Sequence, residues 1–181
     1  MTALEGRLDV AQALMEAGAD IDKAMDDGCT PFYIASQNGH LEVARLLIEA
    51  GADIDKAADD GYTPLIVASQ LGHVEVVRFL LKRGAEINQA QNYGSTPLYI
   101  ASQQGHVEVV KILLEGGADI NQAANDEVTS LFIASQQAHV DVVRILAERG
   151  ADVNQARDDG TTPLCIASEN GHVEVVEILL E

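Results

Sequence analysis

The chain has 181 residues, with 11 Lys and Arg against 29 Asp and Glu, a formal net charge of −18, and 4% aromatic residues. Such an acidic surface repels nucleic-acid phosphates and anionic lipid, so neither is expected as a partner, and it speeds encounter with a basic protein. No charged-then-apolar leader and no apolar run near about 18 residues is present, which leaves secretion and membrane spanning unsupported, and two cysteines, Cys29 and Cys165, fit a reducing, intracellular setting.

Residues 1–25 read as an incomplete unit. Registering Gly6 on Gly39 leaves almost no room for a first helix, while Leu8, Val10, Ala11, Leu14 and Met15 make the apolar stripe of a second one that ends at Gly18. From there on a helix pair recurs, and residues 96–117 show its logic. Thr96 is a side-chain N-cap, and Pro97 takes the first helical position, where a missing N–H costs nothing. Gly105 breaks that helix. A second opens at Val107 with Glu108 in its first turn, where a negative charge suits the helix dipole. Val109, Val110, Leu113 and Leu114 form its apolar stripe, and Gly117 offers the left-handed backbone that ends helices. Each helix is under about 12 residues and marginal alone in water, so something must cover the stripe.

A shift of 33 residues supplies the cover. Thr30, Thr63, Thr96, Thr129 and Thr162 fall on one position; Pro31, Pro64, Pro97 and Pro163 follow in four of the five copies; His40, His73, His106, His139 and His172 recur. A fixed period of this length marks a solenoid whose units stack into a strip of core. Residues 1–181 are therefore one domain: a partial repeat 1–25, full repeats 26–58, 59–91, 92–124 and 125–157, and a partial repeat 158–181. Repeats open with polar turns such as Asp26-Asp27-Gly28, Asp59-Asp60-Gly61 and Asn92-Tyr93-Gly94. Asx-Gly turns supply the positive φ of tight hairpins, so the link between helix pairs is expected to project as a β-hairpin-like finger.

Repeat 125–157 departs from its siblings: Glu127 replaces the turn Gly, Ser130 the Pro, and Ala138 the Gly between helices. A Glu at positive φ is costly, so this repeat is expected to carry the most irregular finger. In the second helices Glu75 faces Arg78, and Glu108 faces Lys111, at i, i+3, whereas the last copy sets Glu174 against Glu177 and is expected to fray. Neither end carries an obvious polar cap, which suggests a piece of a longer array or ends that associate with other copies; otherwise a monomer is expected.

The D-x-G-x-T-P-L pattern (Asp59, Gly61, Thr63, Pro64, Leu65), the G-H before the second helix (Gly72, His73) and the G-A-D-I tail (Gly51 to Ile54) resemble the ankyrin repeat family over essentially the whole chain. The resemblance implies an all-α repeat solenoid, an ankyrin array of paired antiparallel helices with β-hairpin-like finger loops. It also implies a concave binding face made of finger tips and first helices. After T-P-L the family has His; here the position holds Tyr33, Ile66, Tyr99, Phe132 and Cys165, so packing must replace a hydrogen bond, and the aromatic copies are expected to add surface to the inner face.

Chemistry is mostly refused. Zinc ligands lie about 2 Å from the metal, whereas equivalent histidines on stacked repeats are roughly 10 Å apart, so they hold the repeats together and bind no metal. The Asp-Asp-Gly turns lack the alternating ladder of a calcium loop. Candidate nucleophiles recur along an axis and never converge in a pocket; no enzyme and no cofactor is expected. Asn88, Asn121 and Asn154 stand in L-x5-D/E-I/V-N contexts that look like the pattern intracellular asparaginyl hydroxylases accept in ankyrin repeats; the other reading is that these side chains bond the finger backbone.

By register the partner-binding set is Asp59, Asp60, Tyr62, Leu71, Asn92, Tyr93, Ser95, Gln104, Asp126 and Val128, with Tyr62, Leu71 and Tyr93 as apolar anchors inside a polar rim. By the same register Asp26, Asp27, Cys29, Asn38, Gln137, Asp158, Asp159, Thr161 and Asn170 are further exposed variable positions. The leading reading is a protein–protein interaction scaffold that grips a basic or mixed-charge protein. The alternatives are an artificial or purely scaffolding array without a dedicated ligand, and a regulatory ankyrin segment of a larger protein.

Overall fold

The structure, a computed structural model, describes residues 8–181. The register of Gly6 lies outside them. Among the described residues there are eleven helices: α1 Leu8–Glu16, α2 Pro31–Gln37, α3 Leu41–Glu49, α4 Pro64–Gln70, α5 Val74–Lys82, α6 Pro97–Gln104, α7 Val107–Glu115, α8 Ser130–Gln136, α9 Val140–Glu148, α10 Pro163–Glu169 and α11 Val173–Leu180. Each short first helix begins where the sequence places it. Thr30, Thr63, Thr96, Thr129 and Thr162 all sit in extended backbone, and each Oγ1 accepts the N–H three residues on.

The first helices α2, α4, α6, α8 and α10 pack side by side in an inner row, and α1, α3, α5, α7, α9 and α11 form an outer row against it. The core runs between the rows as a strip. Phe32, Leu65, Leu98 and Leu131 face it from the inner row, and Val43, Leu80, Leu113 and Leu146 from the outer. Leu80, Leu98 and Leu113 are wholly buried, each contributing about 2 kcal/mol on transfer from water. A second, thinner apolar layer lies beneath the fingers. Cys29, Tyr33, Ala58 and Val67 form one part of it, and Ile66, Tyr99, Val128, Phe132 and Ile133 another, with Tyr62 packed against both. The position where the family has His thus fills this layer. Tyr33, Ile66, Tyr99 and Phe132 are buried and add no surface to the inner face.

Three expectations are corrected. The fingers are not β-hairpin-like: no strand is present among the described residues. In each finger two backbone bonds close the turn, as in Ala58 N–H to Tyr62 O at 3.0 Å and Gly61 N–H to Ala58 O at 2.9 Å. The chain then enters the Thr cap at once, so no arm is left to pair into a ladder. The fourth finger is not irregular either. Glu127 adopts φ 61°, and the bonds Ala124 N–H to Val128 O and Glu127 N–H to Ala124 O repeat the sibling pattern at 3.0 and 2.9 Å. Finally, Arg78 does not pair along its own helix with Glu75 but reaches Glu108 of the next repeat at 2.7 Å. At the far end α11 runs to Leu180 and carries both Glu174 and Glu177.

Candidate functional site

Polar ladders fix the repeats to one another and set the fingers in a row. At the tips, Asp59 N–H donates to Asp27 O, Asn92 N–H to Asp60 O, and Asn125 N–H to Tyr93 O, at 3.0, 3.3 and 3.0 Å. At the tails, side chains of Asp22, Asp55, Asn88 and Asn121 accept the N–H groups of Asp53, Glu86, Asp119 and Asp152. The third ladder is imidazole to carbonyl: Nε2 of His73, His106, His139 and His172 meets the carbonyls of Gln37, Gln70, Gln103 and Gln136 at 2.8 to 3.0 Å. A carbonyl only accepts, so Nε2 carries the proton in these bonds. The tail ladder escaped the sequence reading, although Asp or Asn every 33 residues at 22, 55, 88 and 121 was its signal. It also gives Asn88 and Asn121 a structural duty: each Oδ1 holds a backbone N–H of the next repeat, not of a finger.

Within a finger the second residue sets the tip. Asp27, Asp60, Asp126 and Asp159 each use Oδ1 to accept the N–H two residues later, an Asx turn. The backbone N–H of Cys29 holds the Asp27 carboxyl below its ordinary range, and the Thr161 hydroxyl and N–H do the same for Asp159. Tyr93 occupies this register in the third finger and has no carboxylate to offer. Gln91 Oε1 accepts the Tyr93 N–H instead, which leaves the phenol 74% exposed.

The sequence-derived binding set divides. Asp59, Asp60, Asn92, Tyr93 and Asp126 are exposed at the tips, and Leu71 and Gln104 are exposed at the ends of α4 and α6. Tyr62 is half-buried between the two apolar layers. Ser95 and Val128, at 7% and 5% exposure, are not on the face. They share the Tyr62 register, where the side chain turns under its finger; the same holds for Cys29, which is also buried. The tips therefore form a row of carboxylates and amides with a single exposed aromatic ring near its middle.

The cysteines differ. Burial, reinforced by Asp27, pushes the Cys29 thiol up to about 11, so it stays protonated near neutral pH. Cys165 is exposed, and the Thr162 hydroxyl and its neighbourhood lower it. Among the described residues no group of three or more His, Cys, Asp or Glu is arranged to hold a metal ion, and no helix is long and apolar enough to cross a membrane. Much of the positive charge lies on the outer row. Arg45 and Arg83 cover the Phe79 ring with each guanidinium carbon 5.0 Å from its centroid, and they also approach Glu42 and Glu49. That cluster serves packing between repeats and lies off the finger row.

No curated protein matches the chain. Compared with protein families, it matches the family described as ankyrin repeats (3 copies) over residues 1–91, 58–124, 84–157 and 117–181. Together these spans cover every copy of the repeat, and the Thr caps, the positive-φ turns and the histidine ladder all fall on the 33-residue period. The chain belongs to the ankyrin repeat family.

Proposed function

We propose that this non-enzymatic scaffold binds a partner protein with a basic or mixed-charge surface through its finger tips and the exposed ends of α4 and α6. The observation that carries the reading is Tyr93, 74% exposed in a row of tips that includes Asp59, Asp60 and Asp126, with Leu71 48% exposed at the end of α4 on the inner row. An exposed ring on a rigid turn gives contact area at little cost in side-chain entropy, and the surrounding carboxylates supply steering and a polar rim. The net charge of −18 favours a cationic partner over phosphate or anionic lipid. Two cysteines four repeats apart are too distant to bridge, which agrees with action in a reducing compartment.

The test is capture from cell extract with the wild type beside Tyr93→Ala and Leu71→Gln variants, at low and moderate salt. Tyr62 is left intact because it packs in both finger layers, and its truncation would mix binding with stability. A protein retained by the wild type, weakened by salt and lost with Tyr93→Ala supports the finger face. Equal retention by all variants, or retention of nothing, overturns it.

A further inference from the structure

Between the first and second fingers the face opens into a cleft of about 400 Å³ lined by Asp27, Cys29, Tyr33, Ala58, Asp59 and Asp60. Its origin is in the sequence. Cys29 and Ala58 are small, whereas one repeat later the same two registers hold Tyr62 and Gln91. The small pair leaves space beside the Tyr33 side chain that the larger pair would fill. Tyr33 is only 5% exposed, and among the described residues its hydroxyl has no hydrogen-bond partner. A buried phenol ordinarily finds a partner, so a hydroxyl left open at the floor of a cleft is an acceptor in waiting. The rim is equally uncompensated: among the described residues no Lys, Arg or His forms an ion pair with Asp27, Asp59 or Asp60. Burial first, and then Cys29, Asp60, Tyr62 and Asp27, push the Tyr33 hydroxyl up, so it remains a neutral phenol that can accept and donate.

We infer that this cleft receives a lysine or arginine side chain of the partner protein, its charge facing Asp27, Asp59 and Asp60 and one of its N–H groups donated to the Tyr33 hydroxyl. The inference rests on the finger-face reading above and gives that face a defined cationic subsite. A long side chain suits it. The methylene stem lies along Ile34 and Ala58, which also line the cleft, while the head stays among the carboxylates. The volume is at the small end for ligand clefts, about 300–1,000 Å³, and fits one side chain better than a whole small molecule.

The experiment is amide NMR of the full chain titrated with the peptide Gly-Gly-Lys-Gly-Gly, with Gly-Gly-Arg-Gly-Gly and Gly-Gly-Glu-Gly-Gly in parallel. Saturable shifts in the millimolar range for the two cationic peptides, centred on Cys29, Tyr33 and Asp60 and absent with the Glu peptide, are expected. Asp59→Asn/Asp60→Asn should weaken binding at least tenfold and Tyr33→Phe about threefold. A control pair, Asp158→Asn/Asp159→Asn, removes the same charge at the last finger and should change it less than twofold. The first pair keeps the fold, because Asn stands at the Asp59 register in Asn92 and an Asn at position 60 still accepts the Tyr62 N–H. Shifts spread over all finger tips, equal effects of the two Asp pairs, or no saturable shift overturn the subsite. That failure is distinguishable from failure of the finger-face reading, which is read at Tyr93 and Leu71, outside the cleft.

Discussion

Repeats 92–124 and 125–157 share one backbone and differ where a backbone should care most. The first has Gly94, Pro97 and Gly105; the second has Glu127, Ser130 and Ala138 at the same places. Gly94 and Gly105 sit at φ 84° and 74°, and Glu127 and Ala138 follow them to 61° and 58°, the non-glycine residues with positive φ among the described residues. Thr96 and Thr129 cap their helices with the same 3.1 Å bond. The stack, not the local residue, sets the conformation. The fourth finger is bonded to the third through Asn125 N–H to Tyr93 O, and the interhelix turn of the same repeat is bonded on both sides, His139 Nε2 to Gln103 O and His172 Nε2 to Gln136 O, so relaxing either turn would break a rung. The cost is stored as strain in the fourth repeat, which an L residue pays at about 1–2 kcal/mol per left-handed position.

The largest expected effect comes from forcing the third repeat to resemble the fourth. A Cβ at Gly105 would stand 2.6 Å from His139 Nδ1, and the His139 ring is held by its bond to Gln103 O. Gly105→Ala should therefore destabilise by about 2 kcal/mol, combining the left-handed penalty with displacement of the ring. Urea unfolding would measure it, and an unchanged midpoint would show that the turn is soft. The reverse change is smaller. By register Ala138 faces His172, which keeps its bond to Gln136 O at 3.0 Å. The ring bond is kept with the methyl present, so Ala138→Gly should recover mainly backbone strain, about 1 kcal/mol. A loss of stability would mean that the Ala138 methyl packs productively.

This comparison also marks what was legible in the sequence. The period, the Thr caps, the Pro at the first helical position and the glycine turns all follow from side chains acting on their own few residues, and the helices begin and break where these say. Rungs between repeats are another matter. Arg78 looked paired with Glu75 because spacing along one helix is all a sequence displays, yet the shorter route was to Glu108. The β-hairpin reading failed because an Asx-Gly turn promises a tight bend and nothing about the length of its arms. Ser95 and Val128 were placed on the face by register with Tyr62, whereas burial depends on the side chain that each neighbouring finger presents. The Tyr33 cleft was missed for the same reason: it arises from two small residues, Cys29 and Ala58, that are far apart in the chain and adjacent only after stacking.

Ser130 offers the next step down. It occupies the first helical position of α8, where its siblings have Pro, and its Oγ is buried without a hydrogen-bond partner. Ser130→Pro removes that desolvated hydroxyl and narrows the unfolded ensemble, at a position whose N–H the helix does not use. Pro97 fills the same site fully buried in the third repeat, so the ring has a precedent. A gain of about 0.5 kcal/mol is expected in urea unfolding; a loss would show that α8 sits too close to α6 to admit the ring.

The smallest effect, and the most diagnostic, belongs to Glu127. Its carboxyl lies against Asp158 of the next finger, which raises its pKa through a shared hydrogen bond and through charge. The sign follows from linkage. A carboxyl whose folded pKa is raised binds its proton more readily folded than unfolded, so the protein gains relative stability as the pH falls through that raised value. Above that value the ionised Glu127 carboxylate is repelled by the charge of Asp158, and the left-handed backbone adds its own strain. Glu127→Gly relieves both and should raise the urea midpoint at pH 7 by less than Ala138→Gly does, because the tip is exposed and glycine also loosens the unfolded chain. At pH 4 Glu127, its carboxyl raised, takes up its proton in the folded protein, the repulsive part weakens, and the gap between the two proteins should narrow toward the backbone part. A gap of the same width at both pH values assigns the whole cost to φ. A gap that widens in acid means the Glu127 carboxylate stabilises the finger row, and the two repeats then differ by adaptation where strain alone is inferred.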